Sequence, residues 1–378
     1  MPCENAAQSD DYFEFIGEYS GVVDYVKEEF NTECITVIDQ RFAIAYVPKN
    51  GRTSIYGQNC PYNTIPRCFG LMDTRMLEDV GVAQVRRSTL ELYGNGVLVG
   101  MIDTGIDYEH QAFRYEDGSS KIYSLWDQTI KGNPEDTFLG YGTEYTKEQI
   151  EEALRSKVPQ EKVPSKDESG HGTFLAGLIA GNEDNEAGFS GIAPNAGLIV
   201  VKLRKAKDYL KEYYCIDPKY EVYAETDIML AVRYIDAIAE QLQRPVVIFL
   251  GIGTSLASHL GTGPLDQYLS GRAMLRGVAV VTSAGNEGQA RHHYSGQVSQ
   301  NASKVEVSEY GFTMELWGLA PNRYYVDIES PSGQKTGRIQ GGLSGQRDVT
   351  FLLERTRLIV EYFTVDTSAG APVIVMRF

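Results

Sequence analysis

Continuous apolar runs and period-two alternation divide the chain into three stretches. From about residue 94 to 288, the runs Val97-Leu98-Val99-Gly100-Met101-Ile102, Leu198-Ile199-Val200-Val201, Val246-Val247-Ile248-Phe249-Leu250 and Val278-Ala279-Val280-Val281 lack polar alternation. That pattern marks strands covered on both faces of a parallel sheet. Between them, residues 226–243 and 264–275 predict helices, and 147–156 predicts a charged surface helix. The expected class is α/β, with a doubly wound, mostly parallel sheet.

Ahead of this stretch, the apolar cluster Phe13, Phe15, Ile16, Val22, Val23, Tyr25 and Val26 predicts a helix. Two short strands come next, Ile35-Thr36-Val37-Ile38 and Phe42-Ala43-Ile44-Ala45-Tyr46-Val47, joined through Asp39-Gln40, and then the turn-rich Tyr62-Asn63-Thr64-Ile65-Pro66. Beyond about residue 300 the pattern changes to alternation, as in Tyr324-Tyr325-Val326-Asp327-Ile328 and Arg357-Leu358-Ile359-Val360-Glu361-Tyr362-Phe363. This predicts the start of an antiparallel β-sandwich. The domain reading is a small α+β unit with its connector at 1–75, an α/β domain at 76–300 and a β-rich segment at 301–378. The last of these ends at Phe378 directly after an apolar run, as a truncated sandwich would.

Composition narrows the function classes. Hydrophobic residues make up 42% of the 378 and charged residues 23%, which is ordinary for a globular chain. The formal charge of −16 disfavours a nucleic-acid partner held through phosphates. No window resembles a membrane-spanning segment, and the Met1-Pro2-Cys3-Glu4-Asn5 start lacks the basic and apolar regions of a signal peptide. The expectation is therefore a cytoplasmic protein with no membrane or nucleic-acid partner. Five scattered cysteines (Cys3, Cys34, Cys60, Cys68, Cys215) suggest reduced thiols.

Two motifs carry candidate chemistry. Asp103 ends a buried run in Met101-Ile102-Asp103-Thr104-Gly105-Ile106-Asp107, at the strand end where ligands gather in open α/β sheets. His171, in Gly170-His171-Gly172-Thr173-Phe174-Leu175-Ala176-Gly177, opens an apolar helix-like run. A dinucleotide site is disfavoured, because the glycines of Gly94-Asn95-Gly96 precede their strand and those after Leu250 are too few. The acidic run Glu183-Asp184-Asn185-Glu186 could ligate calcium, although a solvated loop is the simpler reading.

Together, Asp-Thr-Gly-Ile-Asp at 103–107, His-Gly-Thr-x-x-Ala-Gly at 171–177, Gly191-Ile192-Ala193-Pro194 and Thr282-Ser283-Ala284-Gly285-Asn286 resemble the ordered signatures of the subtilisin-like serine proteases. The N-terminal unit and the β-rich end resemble the prodomain and inserted jelly roll of the clostridial spore-germination members, with which a spore-associated location would go. The resemblance implies that His171 is a general base, Asp103 its orienting partner and Asn286 an oxyanion donor. It also makes Leu250-Gly251 a substrate-binding edge, with Phe249 where the family has serine. The family's Gly-Thr-Ser-x-Ala-x-Pro nucleophile segment has no match after Asn286. The nearest lookalike, Gly253-Thr254-Ser255-Leu256-Ala257-Ser258, lies upstream with His259 in place of the proline. The resemblance thus implies a serine endopeptidase of protein or peptide substrates, here a fragment that lacks its serine. The alternative is an inactive pseudoprotease serving as a binding module. Its own prodomain would be an intramolecular inhibitor and chaperone, cut somewhere between Pro66 and Gly94.

Overall fold

The computed structural model describes residues 5–55, 60–71, 92–133, 137–184, 189–296, 304–306, 311–340, 345–363 and 371–378. The expected domain boundaries near 75 and 300 lie outside these residues.

The N-terminal unit pairs β1 (Tyr12–Glu18) with β3 (Phe42–Pro48), which also pairs with β2 (Ile35–Val37), all antiparallel; α1 (Asp24–Phe30) packs across them. The single helix expected from the Phe13–Val26 apolar cluster is thus a strand followed by a helix. Both faces of β1 are covered, so its apolar residues lose the alternation that usually marks a strand. Phe13 and Phe15 enter a core with Val26 and Phe30, while Ile16 enters the core of the central domain. Gly17 is required where α1 crosses, since a Cβ there would lie 2.5 Å from Val26 Cγ1. Between β2 and β3, Asp39 Oδ1 accepts from the amides of Arg41 and Phe42 and closes the loop.

The chain continues through β4 (Cys68–Leu71) into the central sheet. Its strands are β5 (Leu98–Asp103), β6 (Ile122–Asp127), β7 (Thr143–Thr146), β8 (Gly197–Lys202), β10 (Val246–Leu250) and β12 (Val278–Thr282). The sheet order is β12-β10-β5-β8-β6-β7, parallel except at β6–β7. After β7 come α2 (Lys147–Arg155), α3 (Pro159–Lys162) and α4 (His171–Ala180). After β8 come α5 (Asp208–Tyr213), β9 (Tyr223–Ala224) and α6 (Glu225–Gln241); after β10 come β11 (Ile252–Gly253) and α7 (Pro264–Ala273). The α/β class and the predicted strands and helices are therefore present, with ends shifted by one or two residues.

Period two along β5 decides which helix each side chain meets. Leu98 and Ile102 pack with Ile235 of α6, and Val99 and Met101 with Leu175 and Ala176 of α4. Gly100 lets α6 approach, because a Cβ there would lie 2.3 Å from Ile235 Cγ2. Asp103 continues the odd-numbered series and so faces α4.

β12 departs from expectation. Its run predicts burial on both faces, yet Val281 is 46% exposed, and the nearby Met274 is 86% exposed. Among the described residues β12 pairs only with β10, and nothing covers its outer side.

The C-terminal strands β13 (Thr313–Trp317), β16 (Gly345–Phe351), β17 (Thr356–Phe363) and β18 (Val373–Arg377) form an antiparallel sheet in the order β13-β18-β17-β16. The pair β14 (Tyr325–Val326) and β15 (Ile339–Gln340) lies over it. One sheet face packs Leu358, Val360, Ile374 and Met376 against Val326 and Ile339. Val373 and Val375 on the other face enter the core that holds Phe13, Phe15 and Tyr213. The N-terminal unit, α5 and the C-terminal sheet thus share one core. Cys34 is disulfide-bonded, against the expectation of reduced thiols throughout; Cys60, Cys68 and Cys215 are free.

Candidate active site

Asp103 lies at the end of β5 and His171 at the first position of α4, two elements packed on each other in the Met101–Leu175 core. His171 Nδ1 is 2.7 Å from Asp103 Oδ1. A carboxylate only accepts, so Nδ1 carries the proton and Nε2 is the nitrogen left to take one up. The Asp103 side chain is 1% exposed and that of His171 16%, so the carboxylate is shielded while the imidazole edge reaches solvent. The Thr104 amide donates to the same Oδ1 at 2.7 Å. Asp103 Oδ2 has no partner among the described residues.

Glycines permit this approach. A Cβ at Gly172 would lie 2.2 Å from the Gly105 carbonyl oxygen, and one at Gly251 would lie 2.4 Å from Leu175 Cδ1 and 3.0 Å from Asp103 Oδ2. The Leu250-Gly251 edge is thereby set beside the Asp–His pair, as its place at the end of β10 requires. Leu250 pairs in register with Ile102 on one side and Thr282 on the other. Asn286 follows β12 at this same end of the sheet and is exposed. The C-terminal ends of β5 and β10 therefore gather Asp103, Leu250 and Gly251, with His171 brought in by α4, and Asn286 lies in the loop that follows β12.

The serine lookalike is engaged elsewhere. Ser255 is exposed, and its hydroxyl donates to Glu287 Oε2 at 3.3 Å. His110 accepts from the Ala112 amide at 3.1 Å and closes a local turn. Glu183 and Asp184 are exposed, Asn185 and Glu186 lie outside the described residues, and no cluster of three or more His, Cys, Asp or Glu side chains suited to a metal occurs among the described residues.

β4 lies between two edges of the central domain, antiparallel to both β9 and β11. Leu71 is opposite Ile252 and Gly70 opposite Gly253, so the C-terminal end of β4 is the end nearer Gly251 and Asp103. Arg67, just before β4, fixes its entry. Its guanidinium donates to Glu225 at 2.5 and 3.0 Å, its amide donates to Glu225 Oε2 at 3.0 Å, and its carbonyl accepts from the Glu225 amide. Both side chains are buried.

A second buried ion cluster joins β1 to the central domain. Glu14 meets Arg204 at 2.5 Å and Lys207 at 2.8 Å, and Arg204 Nε donates to Asp227 at 3.0 Å. Burial works against the Glu14 charge, but Arg204 and Lys207 hold its carboxyl down at about 2. Burial and the neighbouring Glu14 push Asp227 up to about 6 despite Arg204. Sequence reasoning missed both clusters, because a charged residue inside an apolar strand or helix carries no periodic signal of its partner.

Comparison with known proteins identifies the family. The profile of the subtilase family, peptidase S8, matches residues 94–310. Subtilisin E of Bacillus subtilis is 22% identical over 308 residues, covering 80% of this chain and 60% of that protein. The major intracellular serine protease of B. subtilis is 26% identical over 241 residues, covering 63% of this chain and 58% of that protein. The structure of the Clostridium perfringens CspB protease superposes with a TM-score of 0.64 at 25% identity, covering 78% of this chain and 59% of that one. The chain thus spans about 60% of the length of these relatives. With the family profile spanning more than half of its residues and the fold shared with a solved protease, this chain belongs to the subtilase family of S8 peptidases.

Proposed function

We propose that this chain carries the acid–base half of a serine endopeptidase site that hydrolyses peptide bonds in protein substrates. The observation that supports this most directly is the 2.7 Å contact of His171 Nδ1 with Asp103 Oδ1, beside the Leu250-Gly251 edge. In this reading, Asp103 holds the Nδ1–H tautomer and stabilises the imidazolium, and His171 Nε2 takes the proton of the attacking hydroxyl. Asn286 donates its side-chain amide to the oxyanion, and the Leu250-Gly251 edge binds the substrate backbone. The nucleophile comes from a segment outside these 378 residues, which also covers the exposed side of β12. The open flank of β12 and the contact of Ser255 with Glu287 favour that source over Ser255.

Residues 1–75 act as a prodomain in the same reading, 76–300 as the catalytic domain and 301–378 as part of a jelly-roll insert. The prodomain inhibits by laying β4 along β11 and β9, where a substrate strand would pair. A second reading, a pseudoprotease that holds a partner without turnover, is favoured by the same occupancy of the edge by β4 and by the lack of a nucleophile motif after Asn286.

Fluorophosphonate labelling and peptide cleavage by the full gene product distinguish the two. Labelling that is lost in D103N and H171A supports the endopeptidase, whereas an unlabelled full product supports the binding module. Labelling of the 378-residue chain itself, abolished by S255A, would overturn the assignment of the nucleophile to another segment.

A further inference from the structure

Asp167 lies four residues before His171, and neither Asp103 nor His171 is among its hydrogen-bond partners. Its two carboxylate oxygens nevertheless receive four donors from both sides of the Asp–His contact. Oδ1 accepts from the Thr104 hydroxyl at 2.7 Å and the Gly170 amide at 2.9 Å. Oδ2 accepts from the Thr173 amide at 2.8 Å and the Thr173 hydroxyl at 2.7 Å. Thr104 completes the bridge by accepting from the Gly172 amide at 2.9 Å, while its own amide donates to Asp103 Oδ1.

This places one carboxylate between the loop that carries Asp103 and the first turn of α4, which carries His171. The cap position of α4 is Gly170, with φ 76° and no side chain to serve the first-turn amides. Thr104 and Asp167 take over that service for Gly172 and Thr173. The Thr104 hydroxyl has a single proton, and the 2.7 Å contact with Asp167 is shorter than the 3.2 Å contact with Asp103. The proton therefore goes to Asp167, leaving Asp103 Oδ1 to the Thr104 amide and His171 Nδ1.

We propose that Asp167 is the positioning residue that sets the His171 imidazole against Asp103. Its negative charge at the helix N-terminus also opposes fraying of the turn that bears the imidazole. Burial works against that charge, but the Thr173, Thr104 and Gly170 donors hold the carboxyl below its ordinary value. The inference rests on the reading of Asp103 and His171 as an acid–base pair and deepens it by naming what fixes their geometry.

The test reads the pair without turnover. With histidine labelled by nitrogen-15, the chain has five imidazoles, and H171Q assigns the His171 signal. The wild-type Nδ1–H proton should resonate far downfield and exchange slowly. In D167N, which keeps the volume but loses the charge and half of the acceptors, that proton should exchange at least about tenfold faster, because a first turn of α4 with weaker charge-assisted hydrogen bonds lets the imidazole leave Asp103 more often. T104V should do the same, and T104S, which keeps the hydroxyl, should restore the wild-type rate. A folded D167N with an unchanged His171 signal would overturn the proposal. If D167N does not fold, the threonine pair decides: T104V matching T104S would overturn the proposal, and a difference restored by serine would support it. An inactive full-length product whose His171 signal still depends on Asp167 would refute the endopeptidase reading and leave this inference standing.

Discussion

Replacing Glu14 by glutamine tests whether the N-terminal unit is held to the central domain by charge. Glu14 is 1% exposed, Arg204 8% and Lys207 4%. Besides the two cations, Glu14 accepts from the Thr226 hydroxyl at 2.8 Å. E14Q leaves two buried cations with Asp227 as the remaining carboxylate, and breaking a buried pair from one side costs about 3–5 kcal/mol. The titration argument agrees in size. A carboxyl held at about 2 instead of 4.5 corresponds to about 3 kcal/mol at about 1.4 kcal/mol per pH unit. Because the folded value lies below the ordinary one, this stabilisation is complete above pH 4.5 and is lost as pH falls through about 2.

Asp227 has the opposite sign. Raised to about 6, it favours the folded state in its protonated form, so stability should rise as pH falls from about 6 towards 3.8. Its unpartnered Oδ2 offers a place for that proton. In E14Q, Asp227 becomes the counterion of Arg204, and the rise between pH 6 and 4 should shrink together with the acid loss. Guanidinium unfolding followed by tryptophan fluorescence reports on this region, since the Trp126 ring lies 5.1 Å from Tyr141, whose hydroxyl donates to Asp227. A loss at pH 7 smaller than about 1 kcal/mol would refute the reasoning, because the buried cations would then have found other partners. The quadruple replacement E14L/R204M/K207M/D227N, which leaves no buried charge of the cluster unpaired, should regain most of the lost stability, as removal of whole buried ion clusters does.

Individual contacts give three further expected outcomes. G251A should destabilise the fold by about 1–3 kcal/mol in denaturant unfolding, since its Cβ meets Leu175 and Asp103 Oδ2 in a packed core. R67A should strand the buried Glu225 carboxylate and loosen β4, read as faster amide hydrogen exchange at Cys68 and Phe69 by at least about tenfold, with stability falling by about 3–5 kcal/mol. K121M should leave the carbonyls of Ala180 and Pro194 without the buried ammonium that binds both, at a loss of about 1–3 kcal/mol. Burial lowers Lys121 to about 8, so wild-type stability should climb between pH 8 and 10.5 as the unfolded chain, but not the folded one, holds the proton; K121M should lose that climb.

Local pattern was enough to expose the central sheet. Its strands read as unbroken apolar runs because helices cover both faces, and the Asp103 and His171 motifs stood at strand and helix ends that the same runs delimit. The signatures at 103–107, 171–177 and 282–286 then pointed to one family, and the match over residues 94–310 agrees. Pattern failed at β1, where packing from two sides erased the alternation, and at β12, where an apolar run predicted burial that the described fold leaves open. Partnership was beyond its reach. Glu14 lies 190 residues from Arg204, Arg67 lies 158 from Glu225 and Asp167 lies 63 from Thr104. Hydrophobic periodicity encodes which face of an element turns inward. Which buried charge meets which depends on how those faces are stacked, and only the tertiary fold brings such distant residues within hydrogen-bonding reach.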